Sequence, residues 1–443
     1  MVLCFLKIDL HERFYFFDNS KVWDGDCTSG VLCHFLISLY GKKVKYKTYQ
    51  ECVMKISQFQ AGKFQSIHAY DYQYFLPEPI DHSFEIDSGD LQVQLEKSTR
   101  LLGELNAMAR MVPDIDLFIM SFINNEATLS SKIEGTQTEL DDVFKAENDI
   151  NVEQKDDWLE VRLYIDTLNE SIKKLDKLPI SMRLIKQMHK TLLSSGRGKN
   201  KSPGEFRTSQ NWIGGTSINN ADFIPPHQHF LYELMSDLEQ FLHTRNSVPD
   251  IIKIAIIHYQ FETIHPFLDG NGRIGRILIP LYLVSKGLLS KPLFYMSAFF
   301  EANKDDYYKK LMNARLKNDF SDWIMFFLRG VEQTAKHGIE TLMAILDMKN
   351  NLTKKIHDES GNRSSNNLRL FDELFKTPFI QVNQVKEKLC VSPTTAKYIV
   401  DDLVEIGVLK ELTNNKRNRL FAFQPYLSLL NKPFPIQNDD KKI

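Results

Sequence analysis

Apolar residues recur at three- and four-residue spacing along most of this chain, and that period is the constraint any fold has to satisfy. From Asp87 onward it runs through LQVQLEKSTRLLGELNAMARM, DWLEVRLYIDTLNESIKKL, PISMRLIKQMHKTLL, FLYELMSDLEQFLH, DIIKIAIIHYQFETI and DDYYKKLMNARL. Side chains three and four apart share one face of a helix, so these stretches predict amphipathic helices around a common core. Ser88 and Asp90 are suited to cap the first of them. One span breaks the pattern. Between Arg207 and Pro226, the pairs Gly214-Gly215 and Asn219-Asn220 sit among Trp212, Ile213, Ile218, Phe223 and Ile224. That texture predicts a β-hairpin on a helical body.

With 443 residues the chain has length for two to four folded units. Four of the five cysteines precede Met54, in an aromatic-rich stretch without helical period. Two readings of residues 1–53 stand: a small β-rich segment, or non-native sequence before a start at Met54. Residues 54–140 and 141–350 form the helical body. The polar, glycine-containing stretch DESGNRSSNN predicts a linker over 351–367, followed by a smaller unit over 368–430 and a disordered tail over 431–443. Odd cysteines without CxxC spacing indicate neither a disulfide framework nor a zinc site. Fifty-five basic against fifty-seven acidic residues give a net charge of −2, which removes a whole-molecule pull toward nucleic acid or anionic membrane. No uncharged stretch approaches the roughly 20 residues of a membrane span. The expectation is a cytoplasmic protein with no membrane partner.

The string HPFLDGNGRIGR, His265 to Arg276, follows an apolar helix and opens another. Gly270 and Gly272 allow positive φ and close approach of backbone to a ligand. Free N–H groups and the positive dipole end of the second helix suit an anion. Arg273 and Arg276 lie at i and i+3 in its first turn, where positive charge is unfavourable unless an anion offsets it. That misplacement points to a phosphate chain. His265 can accept a proton near neutral pH, Asp269 offers a hard oxygen to Mg²⁺, and the Asn271 amide can donate to a phosphate oxygen. Together they describe phosphate-transfer chemistry. His227, His229 and His258 are read as structural.

This string resembles the signature of the Fic family, HPFxxGNGRxxR, at every fixed position. The resemblance implies a mainly α fold: a helical bundle with a β-hairpin flap. It implies transfer of AMP from ATP to a hydroxyl side chain of a protein target, the enzyme itself included. His265 would then be the general base, and Asp269 would hold Mg²⁺ or Mn²⁺. Gly270, Asn271, Gly272, Arg273, Ile274, Gly275 and Arg276 would surround the phosphates. Asn303, and more weakly Tyr295, would line the adenine pocket. The flap, with Ile218, Phe223 and Ile224, would align the target by strand addition. Phosphate-transferring relatives typically carry lysine in place of the second glycine of GNG; Gly272 here favours AMP transfer. Removal of AMP, transfer of another phosphate group, and a DNA-binding regulator remain as alternatives.

Upstream, Ser130, Glu134 and Gly135 in NNEATLSSKIEGTQTEL match the family's inhibitory motif, (S/T)xxxE(G/N). Ser130 and Glu134 share a helix face, and Gly135 is suited to end that helix. By resemblance Glu134 pairs with Arg276 and keeps ATP in a non-productive pose. Residues 368–430 read as a winged helix: helices in LRLFDELFKT, VNQVKEKLCV and SPTTAKYIVDDLVEIGVL, with Ser392 as cap and Pro393 in the first turn, then two strands around a basic tip. In a DNA-binding module Thr394, Thr395, Lys397 and Tyr398 would meet DNA, with Lys416, Arg417 and Arg419 on its backbone. Asp401, Asp402 and Glu405 dilute that charge, so a protein partner or homodimer is the competing reading.

Overall fold

The computed structural model describes residues 6–8, 13–18, 21–26, 53–66, 72–112, 115–144, 150–244, 247–413 and 419–435, and the chain divides into two units, Met1–Cys52 and Val53–Ile443. In the first unit, strands β1 (Leu6–Ile8), β2 (Arg13–Asp18) and β3 (Lys21–Asp26) form an antiparallel sheet in that order, with Phe16 opposite both Leu6 and Trp23.

The second unit opens with four short strands. β4 (Val53–Lys55) pairs parallel with β7 (Ser83–Glu85), and β5 (Gly62–Ser66) pairs antiparallel with β6 (Gln73–Pro77), so Met54 is a strand residue. Then the predicted helices follow. They are α1 (Gly89–Met111), α2 (Asp116–Ile133), the single turn α3 (Leu140–Val143), α4 (Lys155–Lys174), α5 (Met182–Leu192) and α6 (Leu231–His243). After them come α7 (Asp250–Ile264), α8 (Asn271–Ser285), α9 (Ser297–Ala302), α10 (Lys304–Lys317) and α11 (Phe320–Glu359). Ser88 does cap α1, its hydroxyl accepting from the Leu91 N–H. At the centre lies α7, whose residues from Ile251 to Ile264 are all buried. A helix buried on every side belongs inside a bundle, and α8, which follows across the His265–Gly270 turn, shares that interior.

The expected linker over 351–367 is not a loop. Helix α11 runs to Glu359, a short 3-10 turn spans Gly361–Arg363, and α12 (Ser364–Leu374) begins at once. The absence of an apolar period there has a different cause. Ser360 and Asn367 are buried, and the Asn367 amide donates to the Ser360 hydroxyl and the Asp402 carboxylate. Polar groups stitch this corner. Beyond it come β8 (Phe379–Gln381), α13 (Val382–Leu389), α14 (Pro393–Glu405), β9 (Lys410–Glu411), β10 (Leu420–Ala422) and α15 (Gln424–Leu430), with the sheet ordered β8-β10-β9. Ser392 caps α14 as expected. This region shares the core of the larger body: Phe118 of α2 meets Phe375 edge-on at 5.2 Å. The start of the expected disordered tail is also packed, with the Phe434 ring 5.1 Å from His337.

The hairpin over 207–226 is reduced to a single antiparallel bridge, Ile213 to Phe223, around a 3-10 turn at Ile218–Asn220. Gly214 and Gly215 take φ of 70° and 65°, and a Cβ at either would strike Asp222 or Asn220. The Asn220 carboxamide oxygen accepts the N–H groups of Thr216 and Ser217, so side-chain-to-backbone bonds replace the ladder. The segment is anchored at its far end by Phe75 N–H donating to the Ile224 carbonyl.

Candidate active site

The turn between the two central helices begins at His265, which caps α7 in the left-handed region with φ 49° and ψ 61°. A non-glycine residue holds that conformation only where its surroundings fix it. Here they do. The His265 carbonyl accepts from Arg207 Nε at 3.0 Å and from Asn211 Nδ2 at 3.4 Å, and the same Asn211 nitrogen reaches the Phe267 carbonyl at 3.0 Å. Arg207 is itself buried and donates onward to the carbonyls of Ser209 and Pro226. From the other side His189 stacks on Phe267, ring centroids 3.8 Å apart, while Gly204 N–H donates to its Nδ1. That leaves Nε2 to carry the proton and donate to the Asp269 carbonyl at 3.0 Å. Burial lowers the His189 pKa to about 4, so the ring stays neutral in this role.

Asn271 has a different partner from the one its sequence position predicts. Its carboxamide accepts from Phe267 N–H at 2.8 Å and donates back to the Phe267 carbonyl at 2.9 Å. The side chain shapes the turn and is not free for a phosphate. The anion-facing groups are instead the backbone N–H groups of Asn271, Gly272 and Arg273, which have no intrahelical acceptor in the first turn of α8. Gly270 enters that helix with φ 75°.

The two misplaced arginines have found carboxylates. Arg273, buried, donates to Glu160 of α4 at 3.0 Å and to Asp269 at 3.3 Å, and its Nε is buried without a partner. Arg276, also buried, donates from Nε to the Ser130 hydroxyl at 2.8 Å and from one terminal nitrogen to the Ser130 carbonyl at 2.9 Å and Glu134 Oε1 at 2.6 Å. Burial raises the Glu134 pKa, but Arg276, with Arg273 and His265 behind it, outweighs that and holds the carboxyl below its ordinary value. Gly272 makes this approach feasible: a Cβ there would lie 2.2 Å from Glu134 Oε1. So Ser130, Glu134, Gly272 and Arg276, separated by up to 146 residues, meet at one point.

His265 stands beside them with Nδ1 buried and unpaired. Burial, then the positive charges of Arg207 and Arg315, push its pKa down to about 4 against the pull of Glu134 and of a hydrogen bond to the Glu262 backbone. A neutral imidazole has a ring nitrogen able to take a proton. Asp269 has a side chain 40% exposed, and no group of three potential ligands exists among the described residues. Mg²⁺ commonly binds through one or two carboxylates, with phosphate and water completing its shell, so Asp269 fits a divalent ion only together with a phosphate chain.

The other predicted residues have the following surroundings. Tyr295 is buried with its hydroxyl on the Pro292 carbonyl, beside a separate cavity of about 50 Å³ lined by Phe122, Leu129, His337 and Phe434. Asn303 bridges α9 and α10, its amide donating to Phe299. Phe223 is a core residue, packed on Phe75 and under the Arg315 guanidinium at 4.0 Å, and does not face a target. Ile218 is half-buried in the 3-10 turn, and Ile224 serves through its carbonyl. Sequence reading missed Glu160, His189, Arg207, Asn211 and Arg315, which fix the turn or its charges from distant elements. It also missed buried Glu262, whose Oε1 lies against Gly275 and lacks a hydrogen-bond partner. Burial raises the Glu262 pKa to about 7 in spite of Arg276. His258, read as structural, is buried between the Gly275 carbonyl and the Tyr307 hydroxyl.

Residues 93–173 match the family described as Fic/DOC family N-terminal, and residues 179–283 match the Fic/DOC family. A relative named a probable protein adenylyltransferase, from Aquifex aeolicus, is 29% identical over 190 residues, or 42% of this chain and 57% of the relative. Protein adenylyltransferase Fic of Drosophila grimshawi is 26% identical over 186 residues, or 42% of this chain and 35% of the relative. The matches thus span less than two thirds of these relatives' own lengths. A solved Fic family protein from Desulfovibrio desulfuricans covers 76% of this chain and 97% of its own, at 18% identity and a TM-score of 0.49. Residues 93–173 and 179–283, which carry the whole turn and the helix that opposes it, thus form a Fic domain.

Proposed function

We propose that this chain is a protein adenylyltransferase held in check by Glu134. The observation that carries the reading is one junction: Arg276 is sequestered by Ser130 and Glu134 at 2.6–2.9 Å, while neutral His265 waits beside an anion-ready helix start. In transfer, the target's hydroxyl gives its proton to the His265 imidazole as its oxygen attacks the α-phosphorus of ATP. The bond from that phosphorus to the bridging oxygen breaks, and pyrophosphate leaves. Backbone N–H groups at 271–273 and the Arg273 guanidinium stabilise the charge on the phosphates. Asp269 would hold a divalent ion bound with the nucleotide, which supplies charge neutralisation. While Glu134 occupies Arg276, the γ-phosphate lacks its partner.

The test is incubation with ATP labelled on the α-phosphate. Protein-bound label should be low for the wild type, high for Glu134→Gly, and near background for Glu134→Gly with His265→Ala. Equal label in the first two would refute restraint by Glu134; none in either would refute transfer. A second reading shares the site: Glu134 lies close enough to raise the His265 pKa, and such a carboxylate can orient water for AMP removal. Release of AMP from a modified target by the wild type alone would select it.

Helices α12, α13 and α14 with the sheet β8-β10-β9 are consistent with a winged helix. Two features weaken a DNA-reading role for it. Thr395 is used in the Ser392 cap, and Arg419 is paired bidentately with Glu411. Lys397 and Tyr398 are exposed, and Lys416 and Arg417 lie outside the described residues. A protein partner is the better fit for this face.

A further inference from the structure

Resting on the restraint by Glu134 and extending it, we propose that Lys304 is the positioning residue that clamps the inhibitory helix α2 so that Glu134 stays on Arg276. Glu134 caps α2, and the last carbonyls of that helix need partners. Two find them in the following backbone: Glu134 and Thr136 N–H donate to Ser131, and Gly135 N–H donates to Lys132. The Ile133 carbonyl, directly before Glu134, accepts instead from Lys304 Nζ at 2.7 Å. An ammonium at a helix C-terminus also complements its dipole.

Lys304 is an odd residue for its own helix. It is the first residue of α10, where positive charge opposes the dipole, and Asp305 and Asp306 follow it. Its reach to α2 explains the placement. A second, weaker tie runs in parallel, from Lys132 to Glu301 at 3.7 Å. Beside both ties lies a cavity of about 300 Å³, lined by Gly135, Thr136, Thr138 and Glu139 as well as both lysines. The hydroxyls of Thr136 and Thr138 are buried without a partner. The segment just past Glu134 therefore has space beside it and few side-chain bonds, and its next anchor is Gln137 N–H on Asp157 at 2.7 Å. A shift of α2's end by about 1 Å would carry Glu134 beyond hydrogen-bond range of Arg276.

Lys304→Met keeps the stem and removes the ammonium; Lys304→Arg keeps a donor. Relative to wild type, Lys304→Met should raise incorporation of α-labelled AMP about five- to tenfold, the loss expected for a partly exposed charge-assisted hydrogen bond. It should remain below Glu134→Gly and add nothing when combined with it, while Lys304→Arg stays near wild type. Amide hydrogen exchange at Gly135 and Thr136 should speed up in Lys304→Met. Wild-type label and wild-type exchange in Lys304→Met would overturn the clamp. So would an equal rise in the Glu134→Gly background, because Lys304 would then act on the nucleotide site. If Glu134→Gly itself takes no label, the transfer reading falls, and the exchange rates alone still decide whether Lys304 holds the helix end.

Discussion

Two regions of this molecule carry clustered charge, and they treat it in opposite ways. Around the turn at 265–276, charges are buried and bonding is left incomplete. His265 Nδ1, Arg273 Nε and Glu262 Oε1 lack partners, and Arg276 pairs with a carboxylate 142 positions away. In the C-terminal region, the ion pairs sit at the surface, and buried atoms without partners, such as Asn367 Oδ1, carry no charge. Arg363 forks onto Asp402, and Arg419 onto Glu411. Unpaired buried groups raise the free energy of the fold, and they persist where a ligand or a reacting proton completes them. Matched surface pairs add little stability and leave little for a ligand to do.

If that contrast is right, the largest effects of substitution fall at the turn. His265→Ala in a Glu134→Gly background should cut AMP incorporation by about 10²–10⁴-fold, the usual worth of a placed base, with the melting curve unchanged. A loss of less than tenfold would mean that the buried imidazole is there for packing. Glu134→Gly alone should raise incorporation about tenfold or more, since a charge-assisted hydrogen bond to Arg276 is worth about 1.5–3 kcal/mol. An unchanged rate would put Arg276 outside the reaction.

The pH profile sharpens the same point with a smaller effect. An ordinary imidazole, with a pKa near 6.5, would keep only about a quarter of its neutral form at pH 6. His265 is pushed down to about 4 by burial and by Arg207 and Arg315, so its neutral form, the one that accepts a proton, is present above that value and lost below it. Removing Glu134 takes away an influence that raises this pKa, so the released variant should work at nearly constant rate from pH 6 to 8. A fourfold drop between pH 7.5 and 6 would show that the imidazole is not desolvated as the structure has it.

The turn was legible because its chemistry is contiguous: twelve residues hold the histidine, the glycines and both arginines, and Ser130 and Glu134 sit one helical turn apart. The helices were legible from their period, which burial enforces. What could not be read is what long-range packing decides. Glu160, His189 and Arg207 look like ordinary helix or loop residues until α4 and α5 bring them to the turn. Asn271 was assigned to phosphate by its residue type, but a buried carboxamide takes the nearest backbone pair, and that is Phe267. The flap's two glycine–asparagine signals were real, yet Asn220 spent its oxygen on Thr216 and Ser217, which left room for one bridge only.

The mildest test lies in the corner where a linker was expected. Asn367 is fully buried, and its amide holds Ser360 at 2.9 Å and Asp402 at 3.0 Å, joining the end of α11 to α12 and α14. A true linker would tolerate alanine there. A buried hydrogen-bonding corner would not: Asn367→Ala strands the Ser360 hydroxyl and should cost about 1–3 kcal/mol in urea unfolding. Incorporation at the turn should be untouched, because no group of the turn bonds to this corner. A variant as stable as wild type would restore the linker reading, and one that lost incorporation as well would erase the contrast between a region built to react and a region built to hold.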